Sequence, residues 1–225
     1  MTKAKGNMYP NIWTHNIIKG KCPHGCTYCY MNSIAKRYNS PQKDLFFDEK
    51  ALIPLGKGKT IFIGSSCDMW AVYIPHDWKC KVLEHCNKYQ ENTYLFQTKN
   101  PGAYMGFGSD MPRKTVLGTT IETNRIYHTI SKTPPTVNRA INIGGLRYFE
   151  RFITIEPIMD FDMPDFCEML RNASPDYINI GADSGNNHLP EPEPDKIREL
   201  IKELEKFTKV NLKKNLKRLL PEVGV

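Results

Sequence analysis

No apolar run in this chain of 225 residues approaches the roughly 20 needed to span a bilayer as a helix, so no membrane-spanning helix is expected. The opening residues, Met1-Thr2-Lys3-Ala4-Lys5-Gly6, lack the apolar stretch of a secretory signal, which sets the expectation of a soluble, cytoplasmic protein. No internal repeat, low-complexity tract or linker is visible, and the length fits a single domain over residues 1–225. Cysteine is sparse and oddly distributed: there are seven, an odd number, and three crowd into residues 22–29. Paired thiols in a short secreted chain would read as a disulfide framework, whereas clustered ones here point to metal. A second C-x2-C pair is missing, which removes the usual layout of a structural zinc site.

What the chain has in excess is positive charge, a formal +7. Part lies near the start (Lys3, Lys5, Lys19, Lys21, Lys36, Arg37) and part near the end (Lys206, Lys209, Lys213, Lys214, Lys217, Arg218). This permits a polyanionic partner, but solvated helix faces account for such runs equally well.

Apolar patterning alternates between strand and helix, the signature of a parallel α/β sheet. Strands are expected at residues 12–18, 60–64, 93–98, 115–121, 151–155 and 177–181. Helices are expected at 32–38, 76–89, 137–143, 163–172 and 194–207; the last carries the stripe Ile197, Leu200, Ile201, Leu204. Residues 99–114 and 129–135 read as loop-rich. Six strands could form a doubly wound sheet or an incomplete barrel, and in either the chemistry collects at the strands' carboxyl ends. Polar residues fall there: Ser65, Ser66 and Asp68, then Thr98 and Lys99, then Thr119, Thr120, Glu122 and Asn124, then Glu156, then Asp183 and Ser184.

The most specific segment is Lys21-Cys22-Pro23-His24-Gly25-Cys26-Thr27-Tyr28-Cys29-Tyr30. Its C-x3-C-x2-C thiols lie in a tight Pro/Gly loop and can converge on one metal centre. Iron–sulfur clusters are held by thiolates, and three ligands on a four-iron cluster leave one iron open. A zinc ion would need a fourth ligand, from Cys67, Cys80, Cys86, Cys167, His15 or His24, none of them paired at finger-like spacing. Both metals stay open on chemistry alone.

The motif Cys22-x3-Cys26-x-Tyr28-Cys29 resembles that of the radical S-adenosylmethionine superfamily, including the aromatic before the last cysteine. The ending Thr27-Tyr28-Cys29-Tyr30 is similar to spore photoproduct lyase and its relatives. Further stretches resemble a family of small, often phage-encoded radical-SAM-like proteins. These are Phe62-Ile63-Gly64-Ser65 with Asp68, Gln97-Thr98-Lys99, Leu117-Gly118 through Glu122-Thr123-Asn124, Ile155-Glu156-Pro157, and Ile180-Gly181 with Ser184-Gly185. The resemblance implies an α/β fold, a partial (β/α)6 barrel with a parallel sheet and the cluster loop after strand 1. It implies a [4Fe-4S] cluster on Cys22, Cys26 and Cys29, with S-adenosyl-L-methionine chelated to the open iron and reductively cleaved to a 5′-deoxyadenosyl radical.

By the same resemblance Tyr28 meets the adenine, although a packing aromatic would look the same. Superfamily members often carry Gly-Gly-Glu after the second strand; here Gly64-Ser65-Ser66 stands instead, so Ser65, Ser66 and Asp68 inherit the contact to the methionine amino group. Asp68 can equally be a helix N-cap. Lys99 corresponds to a lysine that meets the methionine carboxylate, and Thr120 and Glu122 to residues that bind the ribose hydroxyls. Glu156 ends an apolar strand, where an acid demands either a salt bridge or a ligand. Cys67 is the candidate hydrogen-atom donor, set against the ordinary role of a small core residue. His15 and His24 are read as structural or supporting. The expected partners are a flavodoxin- or ferredoxin-type reductant and a nucleic-acid or nucleotide substrate. Radical modification of a small metabolite or peptide, and a non-catalytic zinc-stabilised nucleic-acid-binding protein, are the competing readings.

Overall fold

The computed structural model describes residues 1–3 and 12–222; Lys5 and the rest of residues 4–11 lie outside it, as do 223–225. In chain order the elements are β1 (Thr2–Lys3), β2 (Trp13–His15), β3 (Ile18–Lys19), α1 (Tyr30–Arg37), β4 (Phe46–Phe47), β5 (Thr60–Ile63) and α2 (His76–Asn87). Then follow β6 (Thr93–Thr98), β7 (Thr115–Thr120), α3 (Thr136–Gly144), β8 (Glu150–Ile155), α4 (Asp165–Ala173), β9 (Tyr177–Ile180), α5 (Pro194–Leu204) and β10 (Lys209–Leu212). One eight-stranded sheet runs in the order β1-β2-β5-β6-β7-β8-β9-β10. Only the β1–β2 pairing is antiparallel; every other neighbour pair is parallel. Helices joining successive parallel strands make this an α/β open barrel, as expected.

Alternation along each strand divides the side chains between two faces. Ile61, Ile63, Tyr94, Phe96, Leu117, Ile153, Ile155, Ile178 and Ile180 face outward and pack in one core with Val82 and Leu83 of α2, Ile143 of α3, Leu170 of α4 and Leu200 of α5. Each such aliphatic side chain stabilises the fold by about 1.5–3 kcal/mol relative to exposure. The inner face has its own small apolar floor of Phe62, Leu95, Val116 and Phe152. Gly118 in β7 is required there, since a Cβ would lie 2.0 Å from the Phe152 ring.

Three elements differ from the sequence reading. The expected strand over 12–18 is two: β2 stays in the main sheet, and β3 pairs with β4 in a separate two-stranded sheet. Asn16 is the break, because its amide turns to Ser65 Oγ (3.1 Å) and receives Ser66 N–H (3.0 Å). A seventh parallel strand, β10, joins β9, so the expected six-stranded count is one short. Its Lys-Val-Asn-Leu sequence has too little apolar content to read as a strand; it forms because Val210 and Leu212 pack on the main core. Residues 101–110 are a 3-10 segment rather than loop, held by buried Tyr104 and Phe107 against Trp70.

Candidate functional site

The cysteine loop sits between β3 and α1, over the carboxyl end of the sheet. Its turns are backbone hydrogen bonds from Gly25 N to Cys22 O and from Cys29 N to Cys26 O, both 3.2 Å. Gly25 adopts φ +57°, a left-handed conformation that glycine accepts without cost. Cys29 is the N-cap residue of α1, so the positive end of that helix faces the loop. Two further bonds, Thr27 N to Ile130 O (2.9 Å) and Lys132 N to His24 O (2.8 Å), stitch the loop to the irregular segment 121–135.

All seven cysteines are free, and Cys22, Cys26 and Cys29 are half-buried. Burial, reinforced by the neighbouring thiols, pushes Cys26 up to about 11 and raises Cys29. A hydrogen bond from the Cys67 thiol pulls Cys22 down to about 6 and pushes Cys67 far up. The donor set is therefore three thiols close enough to repel one another as thiolates, which a cationic centre would relieve. Among the described residues, no three His, Cys, Asp or Glu side chains are gathered tightly enough to enclose a single ion. The ligands of a four-iron cluster each bind a different iron, so the trio suits a cluster in residue type and spacing without forming a one-ion cage.

Asp68 braces the loop from below. Its Oδ2 accepts from His24 Nε2 (2.7 Å), Thr98 Oγ1 (2.8 Å) and Lys99 N (2.9 Å), and its Oδ1 accepts from Trp70 N (2.9 Å). Burial opposes its charge, but His24 and the other donors outweigh it and hold the carboxyl below its usual range. Ser65 and Ser66 are bound to Asn16 as described, and the Ser65 carbonyl accepts from Tyr30 Oη at 2.8 Å.

The second cluster is centred on Glu122, which is buried at the end of β7. Oε1 accepts from Lys99 Nζ (2.6 Å) and from Tyr28 Oη; Oε2 accepts from Arg139 Nη1 (2.8 Å). Burial favours the neutral acid, yet Lys99 and Arg139 prevail and bring Glu122 down to about 2. Lys99 also lies 5.1 Å from the centre of the Tyr28 ring, a cation–π contact. Thr120 takes a hydrogen bond from Gln97 on its hydroxyl (2.9 Å) and one from Arg139 on its carbonyl (2.9 Å). A pocket of about 180 Å³ opens beside this cluster, bordered by Tyr28, Glu122, Arg139, Arg125, Tyr127 and Met159.

Glu156 stands apart, at the end of β8. It pairs with Lys213 and accepts from Asn215 Nδ2 at 2.6 Å, so a buried salt bridge accounts for the acid in the apolar strand. Of the residues expected from sequence, Tyr28, Lys99, Thr120 and Glu122 come together, and Ser65, Ser66, Cys67 and Asp68 border the cysteine loop. Arg139 and Lys213 were missed. Arg139 was legible: it lies one turn before core residue Ile143, on the face of α3 that is otherwise apolar, where a cation requires a buried acid. Lys213 was lost among the C-terminal lysines.

The open parallel barrel has likenesses among solved structures. A doubly substituted spore photoproduct lyase with bound AdoMet and dinucleoside spore photoproduct superposes with TM-score 0.61 at 12% identity, covering 92% of this chain and 74% of the other. A singly substituted form gives 0.59 at 11% identity over 92% and 74%, and the complex with dinucleoside spore photoproduct gives 0.54 at 10% over 92% and 72%. At such identity the likeness shows the fold. No curated protein matches by sequence. Residues 12–209 match the family described as protein of unknown function (DUF5131), and the chain belongs to that family.

Proposed function

We propose that this protein, as one core domain over residues 1–225, is a radical S-adenosylmethionine enzyme. Cys22, Cys26 and Cys29 would hold a [4Fe-4S] cluster. The cluster would supply, from a flavodoxin- or ferredoxin-type reductant, the electron for reductive cleavage of S-adenosylmethionine to methionine and a 5′-deoxyadenosyl radical. The observation that carries this reading is the meeting of Tyr28, from within the cysteine motif, with Lys99 and Glu122 from two strand ends. Three segments far apart in sequence present an aromatic ring, an ammonium and a carboxylate beside the thiols.

In this reading Lys99 binds the methionine carboxylate, Glu122 the ribose hydroxyls and Tyr28 the adenine, with the adjoining pocket admitting the adenosyl group. Ser65 and Ser66 offer hydroxyl and backbone groups to the methionine amino group. Thr120 lines the ribose end. Asp68, bonded to His24 of the loop and to Thr98 and Lys99 of the sheet, holds the cysteine loop in place. Glu156, already matched by Lys213, shapes the opposite rim. Cys67 is buried beside Cys22, where its thiol would give a hydrogen atom to a substrate radical, the resulting thiyl regaining an electron from the donor and a proton from solvent.

The spore photoproduct lyase structures contain AdoMet and a dinucleoside, which favours a nucleotide-type substrate for a related fold. A zinc-stabilised binding protein is the competing reading, and one zinc per chain in a colourless protein would identify it. The test is anaerobic iron–sulfur reconstitution followed by S-adenosylmethionine and dithionite. Formation of 5′-deoxyadenosine supports the proposal, and its absence from a protein that carries the cluster contradicts it.

A further inference from the structure

The inner face of the sheet carries a second, unclaimed surface. Strand register places Thr120, Thr154, Asn179 and Asn211 side by side on four successive strands: Thr120 opposite Thr154, Thr154 opposite Asn179, and Asn179 opposite Asn211. Directly opposed residues in a parallel sheet share a face. The side chains confirm it, with Asn211 Nδ2 donating to Asn179 Oδ1 (3.1 Å) and Asn179 Nδ2 reaching Thr154 Oγ1 (3.5 Å). Gln97 donates to Thr120 at the other end of the row. Thr154 and Asn179 are buried and Asn211 is half-buried.

The row below is flat and aromatic. Phe152 lies across Gly118 and stacks on Tyr177, with ring centres 5.2 Å apart and planes 3° from parallel. The row above is Glu156 with Lys213, a matched pair leaving no net charge. Three buried hydroxyl and amide side chains and a half-buried fourth on one level of an otherwise apolar sheet are costly unless they serve one another fully. They do so only in part: the Asn179–Thr154 contact is long, at 3.5 Å, and among the described residues Asn211 is tied to this row through its Nδ2 alone.

Position settles which ligand this suits. The cysteine loop and the Lys99–Glu122 cluster occupy the β5–β7 half of the carboxyl rim, whereas Thr154, Asn179 and Asn211 belong to β8–β10. The shelf mixes donors and acceptors, is uncharged and adjoins a flat aromatic surface. Carboxamides match the donor–acceptor edge of a nucleobase, and on the β8–β10 side the charged groups bordering the row, Glu156 and Lys213, are paired with each other. We propose that this shelf is the substrate subsite, and that it takes the edge of a neutral nucleobase. The proposal deepens the radical reading by naming the substrate class, and rests on it for the identity of the other half of the rim.

The test uses the full chain, reconstituted anaerobically, with the four deoxynucleosides and ribose 5-phosphate as separate probes in ligand-observed NMR. S-adenosylmethionine binding is measured in parallel by equilibrium dialysis. At least one deoxynucleoside should saturate and ribose 5-phosphate should not. Asn211→Leu should weaken that nucleoside about tenfold or more, as loss of a carboxamide–base contact implies, with S-adenosylmethionine affinity unchanged. Thr154→Val, nearly isosteric, should weaken it in the same direction should Asn211→Leu fold poorly. Absence of nucleoside binding alongside normal S-adenosylmethionine binding overturns the shelf and leaves the radical reading intact. Nucleoside binding that Asn211→Leu and Thr154→Val leave unchanged also overturns it. Sensitive nucleoside binding without S-adenosylmethionine binding upholds the shelf and removes the reading on which its catalytic role rests.

Discussion

Lys99 and Glu122 close a 2.6 Å ion pair between the ends of β6 and β7, with both side chains largely buried. Arg139 completes the site from α3, so one carboxylate is held by two cations. A buried carboxylate needs donors on both oxygens, and removal of Lys99 takes a charge-assisted hydrogen bond from Oε1 that the low-dielectric surroundings do not replace. Lys99→Met should therefore lower stability by about 2–4 kcal/mol in urea denaturation, with Lys99→Arg restoring part of it. Under the proposed function Lys99→Met also weakens S-adenosylmethionine binding, while Lys206→Met on the exposed surface changes neither.

The same carboxylate makes stability depend on acid. Glu122 sits at about 2 in the folded chain against an ordinary 4.5. The unfolded chain thus binds the extra proton first as pH falls. The stabilisation is complete above about 4.5 and drains away toward about 2, by a few kcal/mol in total. Glu122→Gln should flatten that part of the stability–pH curve. An unchanged acid limb in Glu122→Gln would show that other carboxylates govern it.

His15 gives a second pH effect, in a less acidic window. Burial, aided by nearby positive charge, lowers it to about 4 from 6.5. Its folded form prefers the neutral ring, so stability is full above about 6.5 and declines as pH falls toward about 4. His15→Gln should reduce the slope of unfolding free energy in that window, read from urea titrations at pH 4.5, 5.5 and 7.

Gly118 tests the inner floor. Because an added Cβ would meet Phe152 at 2.0 Å, Gly118→Ala should cost about 1–3 kcal/mol or more by overpacking. Phe152→Leu in the same chain should recover part of that loss. Additive losses in the double variant would mean that the two positions do not share the space.

Asp68 tests the bracing of the cysteine loop. It accepts from His24 in the loop and from Thr98 and Lys99 in the sheet. Asp68→Ala should lower iron retained after reconstitution, and Asp68→Asn should restore part of it. Equal iron in wild type and Asp68→Ala would separate the loop's geometry from this carboxylate.

The sheet was legible because buried parallel strands such as Thr60-Ile61-Phe62-Ile63 and Phe152-Ile153-Thr154-Ile155 are continuous apolar runs between turn signals. β10 escaped because it is a short, half-exposed edge strand followed by lysines, and its pairing with β9 is decided by tertiary contact. The cysteine loop, Tyr28, Lys99 and Glu122 were legible through local spacing and position after strands. The shelf was not, although Thr154, Asn179 and Asn211 are each a single polar residue between two aliphatic ones. Only the register of four strands reveals that the three interruptions fall on one level, and register is a property of the assembled sheet.

The central claim is that Cys22, Cys26 and Cys29 hold a four-iron cluster with one corner free. Low-temperature electron paramagnetic resonance of the anaerobically reconstituted, dithionite-reduced protein tests it most directly, with iron and zinc counted on the same sample. The account predicts about four irons per chain, a reduced-cluster signal that changes when S-adenosylmethionine is added, and loss of both iron and signal when the three cysteines become alanine. One zinc per chain in a colourless protein, or a cluster signal indifferent to S-adenosylmethionine, would contradict it.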